Sequence, residues 1–131
     1  MTRKLLLTCG IASSLLYVAM MVFIPMQWDS YSSGSQTISE LSAIDAPTRS
    51  TWVPLGRLYA VLLVAFGAGV WLSTAGSRPL RIAAVALVVD GILSLFWPPM
   101  HLREVLAAGG STLTDTMHLV FTAITVGLML I

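Results

Sequence analysis

The chain has 131 residues, of which 56% are hydrophobic and only 10% charged, and its formal net charge is +1. The mean hydropathy is +0.87, whereas about a quarter of the residues of soluble domains are charged. This composition excludes an ordinary soluble globule, and the lack of a basic cluster beyond the segment ends excludes nucleic-acid binding. The sequence therefore predicts an all-α integral membrane helical bundle that forms a single transmembrane domain over residues 1–131.

Four stretches almost free of charge predict four transmembrane helices, at about residues 5–26, 52–72, 82–100 and 115–131. The fourth stretch would rise roughly 25 Å as a helix, less than the ~30 Å hydrocarbon layer. No polar tail or basic anchor follows it. The pattern indicates either a short final helix accommodated by tilt and bilayer thinning, or a chain whose remaining helices are missing.

The distribution of basic residues predicts the orientation, because Lys and Arg in short loops stay on the cytoplasmic side. One side of the predicted bundle carries four of them, and the other carries two in its loops, with Arg57 just inside the second span. We therefore expect a multi-pass inner-membrane protein with both termini in the cytoplasm. The four cytoplasmic residues are Arg3, Lys4, Arg78 and Arg81, and the two outer ones are Arg49 and Arg103.

The outer loop, residues 27–51, is the longest polar segment and has internal order. Thr37 and Glu40 stand at capping-box spacing in "TISELSAI". Since Ile38, Leu41 and Ile44 would share one face, this segment predicts a short interfacial helix on the membrane surface. A turn at "DAP" then leads into the second span.

Small residues at helical spacing predict where the helices touch, because close van der Waals approach favours helix association in lipid. The predicted contacts are Gly10 with Ser14, Gly56 with Ala60, Ala123 with Gly127, and the glycine-rich stretch "AFGAG" at residues 65–69.

Both histidines are predicted at the outer side, and each has a carboxylate three residues away: His101 with Glu104, and His118 with Asp115. On a helix this spacing puts imidazole and carboxylate on one face, which suits metal ligation or proton transfer. The alternative is that Asp115 only caps the fourth helix and that the histidines are ordinary interfacial residues.

Asp90 is predicted near the middle of the third span, where a carboxylate is costly and usually has a partner or a function. Arg57 is its candidate ion-pair partner, and the two together could form a ligand or proton pathway. The alternative is a protonated Asp90 that is hydrogen-bonded to Ser94 or to a hydroxyl on another helix.

Three segments together are similar to a known family: "QTISELSAIDAPTR" in the outer loop, "WPPMH" after the third span, and "TLTDTMHLVFTAITV" at the fourth. The chain resembles the bacterial and archaeal membrane proteins grouped as domain of unknown function 998. The resemblance implies a multi-pass helical protein with its first long loop outside, usually with further helices beyond the present ones. It implies no catalytic residue.

The leading functional prediction is a structural role, or the binding of a lipid or small ligand, with any site at the outer face. One alternative is a metal-assisted hydrolase built from His101, His118 and an acid among Glu40, Glu104 and Asp115. Another is part of a transporter that uses Asp90 and Arg57 and needs a second copy or more helices. The expected partners are the bilayer and possible copies of the chain. No cofactor is predicted, since no phosphate loop, serine elbow or cysteine cluster is present, and enzymatic activity stays open.

Overall fold

The computed structural model describes residues 2–130 and folds them into five α-helices with no β-strand in that range. This confirms the all-α prediction. Two short 3-10 helices, Pro25–Gln27 and Ile38–Ser42, lie between the first and second α-helices. The α-helices are α1 (Thr2–Phe23), α2 (Arg49–Trp71), α3 (Arg78–Leu95), α4 (Arg103–Ala107) and α5 (Leu113–Met129).

Helix α2 is the centre of the bundle and packs against both α1 and α3. Glycines make this close packing possible. A Cβ atom added at Gly67 would lie 2.7 Å from Val88 Cγ2, and one added at Gly10 would lie 2.7 Å from Phe66 Cδ2. The predicted contacts through Gly10 and the stretch at residues 65–69 are therefore confirmed.

Of the other predicted small residues, Ala60 is fully buried, with its carbonyl oxygen 3.1 Å from a Cβ atom added at Gly91 of α3. Gly56 and Gly127, by contrast, have no close neighbouring helix in the described part of the chain. A Cβ atom added at Gly127 would meet no atom within 4 Å, and one added at Gly56 would meet only the Trp52 ring of its own helix. Helix α5 lies at the edge of the bundle and packs mainly against α3. Its small-residue face consequently has no neighbouring helix among residues 2–130.

The third helix begins and ends earlier than the predicted span at residues 82–100. Pro98 and Pro99 lack backbone N–H groups, and a proline also disfavours helical geometry in the residue before it. The chain therefore leaves α3 after Leu95 and crosses the end of the bundle as the irregular segment 96–102. There the Met100 carbonyl accepts a 2.7 Å hydrogen bond from the Ile44 backbone N–H, which ties this segment to the first long loop.

The short helix predicted in the first long loop is present as the 3-10 helix Ile38–Ser42, with the capping box of Thr37 and Glu40. It differs from the prediction in its surroundings, because Leu41 is completely buried. The helix thus packs into the protein through Leu41, whereas Ile38 of the same apolar face is 37% exposed. The predicted turn follows it, with Asp45 in the left-handed region at φ 65°.

Two helical segments, Thr2–Gln27 and Arg49–Trp71, are long and apolar enough to cross a membrane, and α5 is a shorter apolar helix. Only 17% and 22% of the residues in their most apolar stretches are buried, unlike those of a core helix in a soluble protein. A Cβ atom added at Gly69 would lie 2.9 Å from Leu6 Cβ, so the start of α1 lies beside the turn between α2 and α3. We call this the basic end, and the opposite end, with residues 27–48 and 96–112, the loop end.

Candidate functional site

The loop end contains three buried ionisable side chains, Glu40, Asp115 and His118, that come from different parts of the chain. Burial of such groups is costly unless each is hydrogen-bonded. Each of the three has protein partners, which hold the first long loop, residues 96–102 and α5 together.

Glu40 is bound by Arg103 in a two-pronged ion pair. The Arg103 Nη2 donates to Glu40 Oε1 at 2.6 Å, and Nε donates to Oε2 at 3.0 Å. Gln36 and the Thr37 backbone N–H donate further bonds at 3.1 Å. The hydrogen bond from Arg103 is the main reason that the pKa of Glu40 falls from 4.5 to about 2, although burial opposes the shift. Glu40 is thus a carboxylate at neutral pH.

Asp115 joins the start of α5 to residues 101 and 112. Its Oδ1 accepts a 2.7 Å bond from the His101 backbone N–H, and its Oδ2 lies 2.9 Å from His101 Nδ1. The Thr112 backbone N–H donates to Oδ2 at 2.7 Å. Asp115 therefore caps the helix, as one of the two alternatives predicted, and pairs with a histidine as well.

His118 lies on the next turn of α5 and is 3% exposed. Its Nδ1 is 2.8 Å from the Pro98 carbonyl oxygen, and its Nε2 is 3.0 Å from Ser39 Oγ. The Trp97 indole packs perpendicular to the imidazole, with 5.4 Å between ring centroids. Both imidazole nitrogens consequently have fixed partners.

The predicted pairing of His101 with Glu104 on one helix is wrong, since α4 begins only at Arg103. His101 instead pairs with Asp115, while Glu104 is exposed. Among residues 2–130, no group of three His, Cys, Asp or Glu side chains is arranged to hold a metal ion. Metal ligation and proton transfer by the histidines stay predictions.

Beneath this network a cavity of about 560 Å³ opens between α1, α2, α3 and α5. Its lining combines aromatic, aliphatic, hydroxyl and charged side chains. The lining residues are Tyr17, Met20, Ile38, Ser39, Ser42, Arg49, Trp52, Val53, Gly56, Arg57, Tyr59, Asp90, Ser94, Leu95, Trp97, Pro98, Pro99, Thr122, Thr125 and Met129.

The charged residues that line the cavity form no ion pair with one another. Arg57 and Asp90 both line it, but the ion pairs of the described residues are only His101 with Asp115 and Arg103 with Glu40. Asp90 Oδ1 and the Thr125 hydroxyl of α5 are buried close to each other, but neither atom makes a well-formed hydrogen bond. Arg49 donates from Nη1 to the Ser42 carbonyl oxygen. The cavity thus presents guanidinium groups near the loop end and polar oxygens within the bundle.

Several residues of this region have no counterpart in the sequence predictions. Ser39 and Trp97 are brought to His118 from distant parts of the chain, and Arg103 and Arg49 were interpreted only as loop charges. The "SELSA" and "WPPMH" segments of the family resemblance contain Ser39 and Trp97. Membership of those two segments was the one feature of the sequence that could have identified Ser39 and Trp97 as site residues.

The fold and the site define an all-helical protein with two helices long and apolar enough to cross a membrane, and with a polar network at one end above a cavity. The chain belongs to the family described as Protein of unknown function (DUF998), whose model matches residues 11–131. The resemblance inferred from the sequence is thereby confirmed. No curated protein and no solved structure matches the chain.

Proposed function

We propose that the chain is a four-span inner-membrane protein, with both termini in the cytoplasm, that binds a lipid or similar amphiphile in the cavity near the outer face. The observation that carries this proposal is the cavity itself, in which two arginines stand beside apolar and aromatic side chains. The loop end would face outward.

The exposed apolar surface of the helices supports placement in a bilayer. Leu15 and Leu119, on helices at opposite edges of the bundle, are 66% and 69% exposed. Large exposed apolar surfaces are rare on soluble monomers, and contact with lipid removes them from water. Helix α3 is not recognised as a membrane span from hydropathy alone, because it contains three charged residues, Arg78, Arg81 and Asp90. Two of them lie in its first turn, where they would reach the cytoplasmic interface.

The size and lining of the cavity support an amphiphilic ligand. A volume of about 560 Å³ is within the usual range for small-molecule sites. Arg49 and Arg57 would bind an anionic head group, because guanidinium forms forked hydrogen bonds with carboxylate and phosphate oxygens. Met20, Leu95 and Met129 provide apolar contact for a chain.

Asp90 supports a second polar contact deeper in the cavity. Gly91 packs against the Ala60 carbonyl and Val64 of α2, so Asp90 lies roughly 5–10 Å deeper than Arg57, from the helical rise per residue. Its Oδ1, which lies near Thr125 but makes no well-formed hydrogen bond, would accept one from a ligand hydroxyl or ammonium group. The same oxygen is what favours the transport alternative, in which Asp90 carries a proton or ligand onward.

A native mass spectrum of the full chain, released gently from detergent, tests the binding proposal. Wild-type protein purified with phosphatidylglycerol should retain it, and the Arg49→Gln, Arg57→Gln double variant should retain at least about tenfold less, the equivalent of one lost charge-assisted contact. Arg81→Gln removes a cation at the basic end and should change nothing. Equal lipid retention by the double variant and wild type would refute the proposal.

The same spectrum reports the subunit count. The outward face of α5 leaves room for a second copy of the chain or for further helices of a larger bundle, which the transport alternative requires. A dimer would support the expectation of a homo-oligomer, whereas a lipid-bearing monomer would favour binding alone.

A further inference from the structure

Ser39 and His118 form a hydrogen-bonded pair at the boundary of the cavity. Ser39 Oγ lies 3.0 Å from His118 Nε2, although 79 residues separate them in sequence. A serine within hydrogen-bonding distance of an imidazole is the usual arrangement for an activated nucleophile and its base. The pair connects the 3-10 helix Ile38–Ser42 with α5.

The second imidazole nitrogen sets the direction of the hydrogen bond to Ser39. Nδ1 lies 2.8 Å from the Pro98 carbonyl oxygen, which can only accept, and 3.1 Å from the Trp97 indole nitrogen, which can only donate. The shorter contact with Pro98 favours the hydrogen of the neutral ring on Nδ1, and the Trp97 N–H then donates to Nε2 at 3.4 Å. Nε2 then presents its lone pair to the Ser39 hydroxyl. A group that orients the base is the third component of such sites, and here a backbone carbonyl fills that position.

The surroundings restrict the imidazole and leave the serine accessible. His118 is 3% exposed and packs edge-on against Trp97. Ser39, by contrast, is partly exposed and lines the cavity. A histidine with a purely structural role needs partners for its nitrogens, but it does not need the partner hydroxyl to face a ligand-sized space.

Arg49 provides a cationic donor in the cavity that Ser39 lines. Its guanidinium donates to the carbonyl oxygen of Ser42, which is one turn from Ser39. Positive charge held near a nucleophile stabilises the oxyanion that forms when a carbonyl is attacked.

We propose that Ser39 and His118 catalyse hydrolysis of a carboxylic ester in an amphiphile bound in the cavity, an inference that rests on the proposed binding function. Ser39 Oγ attacks the ester carbonyl carbon while its proton passes to His118 Nε2. The carbon–oxygen bond to the leaving alkoxide breaks, and the alkoxide takes that proton to leave as an alcohol. Water, deprotonated by His118, then attacks acyl-Ser39, and the proton returns to Ser39 Oγ as the carboxylic acid departs.

An alkyl fluorophosphonate, which forms a covalent bond with an activated serine and releases fluoride, tests the pair in the full chain in lipid nanodiscs. Intact mass and peptide mapping should show one adduct, on Ser39, that is absent in Ser39→Ala. His118→Gln can still hydrogen-bond to Ser39 and Pro98 but cannot act as a base, so labelling should slow at least about 100-fold. Ser33→Ala removes an exposed hydroxyl of the same loop that does not line the cavity, and it should label at the wild-type rate.

Release of p-nitrophenol from p-nitrophenyl octanoate should follow the same order among the variants. An unlabelled wild type, an adduct on another residue, or wild-type labelling of His118→Gln would each overturn the catalytic proposal. Lipid retention by Ser39→Ala separates the two proposals. If Ser39→Ala and the wild type both retain lipid but the wild type does not react, the binding proposal stands and the catalytic proposal fails. If the wild type retains no lipid, the binding proposal itself fails.

Discussion

Glu40 is the residue at the loop end whose charge is most clearly held by its partners. It is 3% exposed, and Arg103, Gln36 and the Thr37 backbone all donate to it. A buried carboxylate with this many donors stabilises the folded state only while it is ionised.

We therefore expect the stability of the protein to fall as pH drops from about 4.5 to about 2, the ordinary and folded pKa values of Glu40. The lowered pKa means that the folded protein releases this proton more readily than the unfolded chain, so the contribution is complete above the higher value and is lost towards the lower one. Thermal unfolding in detergent, followed by tryptophan fluorescence, measures it.

Glu40→Gln should flatten this decline and lower the stability at pH 7 by about 1–3 kcal/mol, because Arg103 loses its charged acceptor. Glu104→Gln provides the matched control, since Glu104 is an exposed acid on α4. A Glu40→Gln profile that is parallel to the wild type would show that other groups cause the acid sensitivity.

Asp115 illustrates why residue roles could be only partly inferred from the sequence. Its position in "TLTD" predicted a helix cap, and the Thr112 backbone N–H does donate to it. Its contact with His101 depends instead on where residues 96–102 run. That path follows from the end of α3 at the two prolines, so spacing along the chain paired His101 with Glu104 and left Asp115 as one of three candidate acids for a site shared by both histidines.

At the scale of helices, the contact between α2 and α3 depends on glycines that lie against the neighbouring backbone. A Cβ atom added at Gly67 would be 3.1 Å from Val88 N and 3.2 Å from the Ala84 carbonyl oxygen. Backbone atoms cannot move aside as a flexible side chain can. The interface therefore tolerates no side chain at this position without separation of the two helices.

Gly67→Leu should destabilise the protein by about 1–3 kcal/mol or more, the usual cost of overpacking. Gly127→Leu introduces the same side chain at a helical glycine with no atom within 4 Å of its added Cβ, and should be nearly neutral or slightly stabilising, since leucine is the better helix former. Thermal unfolding of the two variants side by side tests this difference. Equal destabilisation would contradict the packing of α2 against α3.

The 3-10 helix Ile38–Ser42 shows the same limit on sequence inference at the element scale. The capping box and the apolar spacing identified a helical turn, and both depend on residues three or four apart. Its environment depends on long-range contacts, such as the hydrogen bond from Ile44 to Met100. For that reason the helix was predicted to lie on the membrane surface, whereas Leu41 of its apolar face is buried in the protein and Ile38 is exposed.

For the whole molecule, the separation of charges between the two ends supports the proposed orientation. Arg3 and Lys4 lie beside the turn that precedes Arg78, and the acids Glu40 and Asp115 lie at the other end. Basic residues at the ends of spans are retained in the cytoplasm during insertion. The proposed topology therefore makes a direct prediction about labelling from outside the cell.

In a Cys9→Ser background, Ser33→Cys should react with a membrane-impermeant maleimide in intact spheroplasts, and Thr2→Cys should react only after the membrane is permeabilised. Both positions are exposed in the structure, so accessibility of the thiol itself is matched. The reverse pattern would invert the topology. Labelling of both sites in intact cells would contradict placement of the two ends on opposite sides.

The sequence by itself determined the helical class, the approximate bounds of the apolar helices, the family and the end of the molecule where polar residues gather. These follow from composition and from contacts between residues three or four apart, which a linear pattern records. The tertiary structure decided that His101 pairs with Asp115, that Arg103 binds Glu40, that Ser39 meets His118, and that Arg49 and Asp90 line one cavity. These contacts join segments 14 to 79 residues apart, and they depend on where α3 ends and how closely glycines let the helices approach.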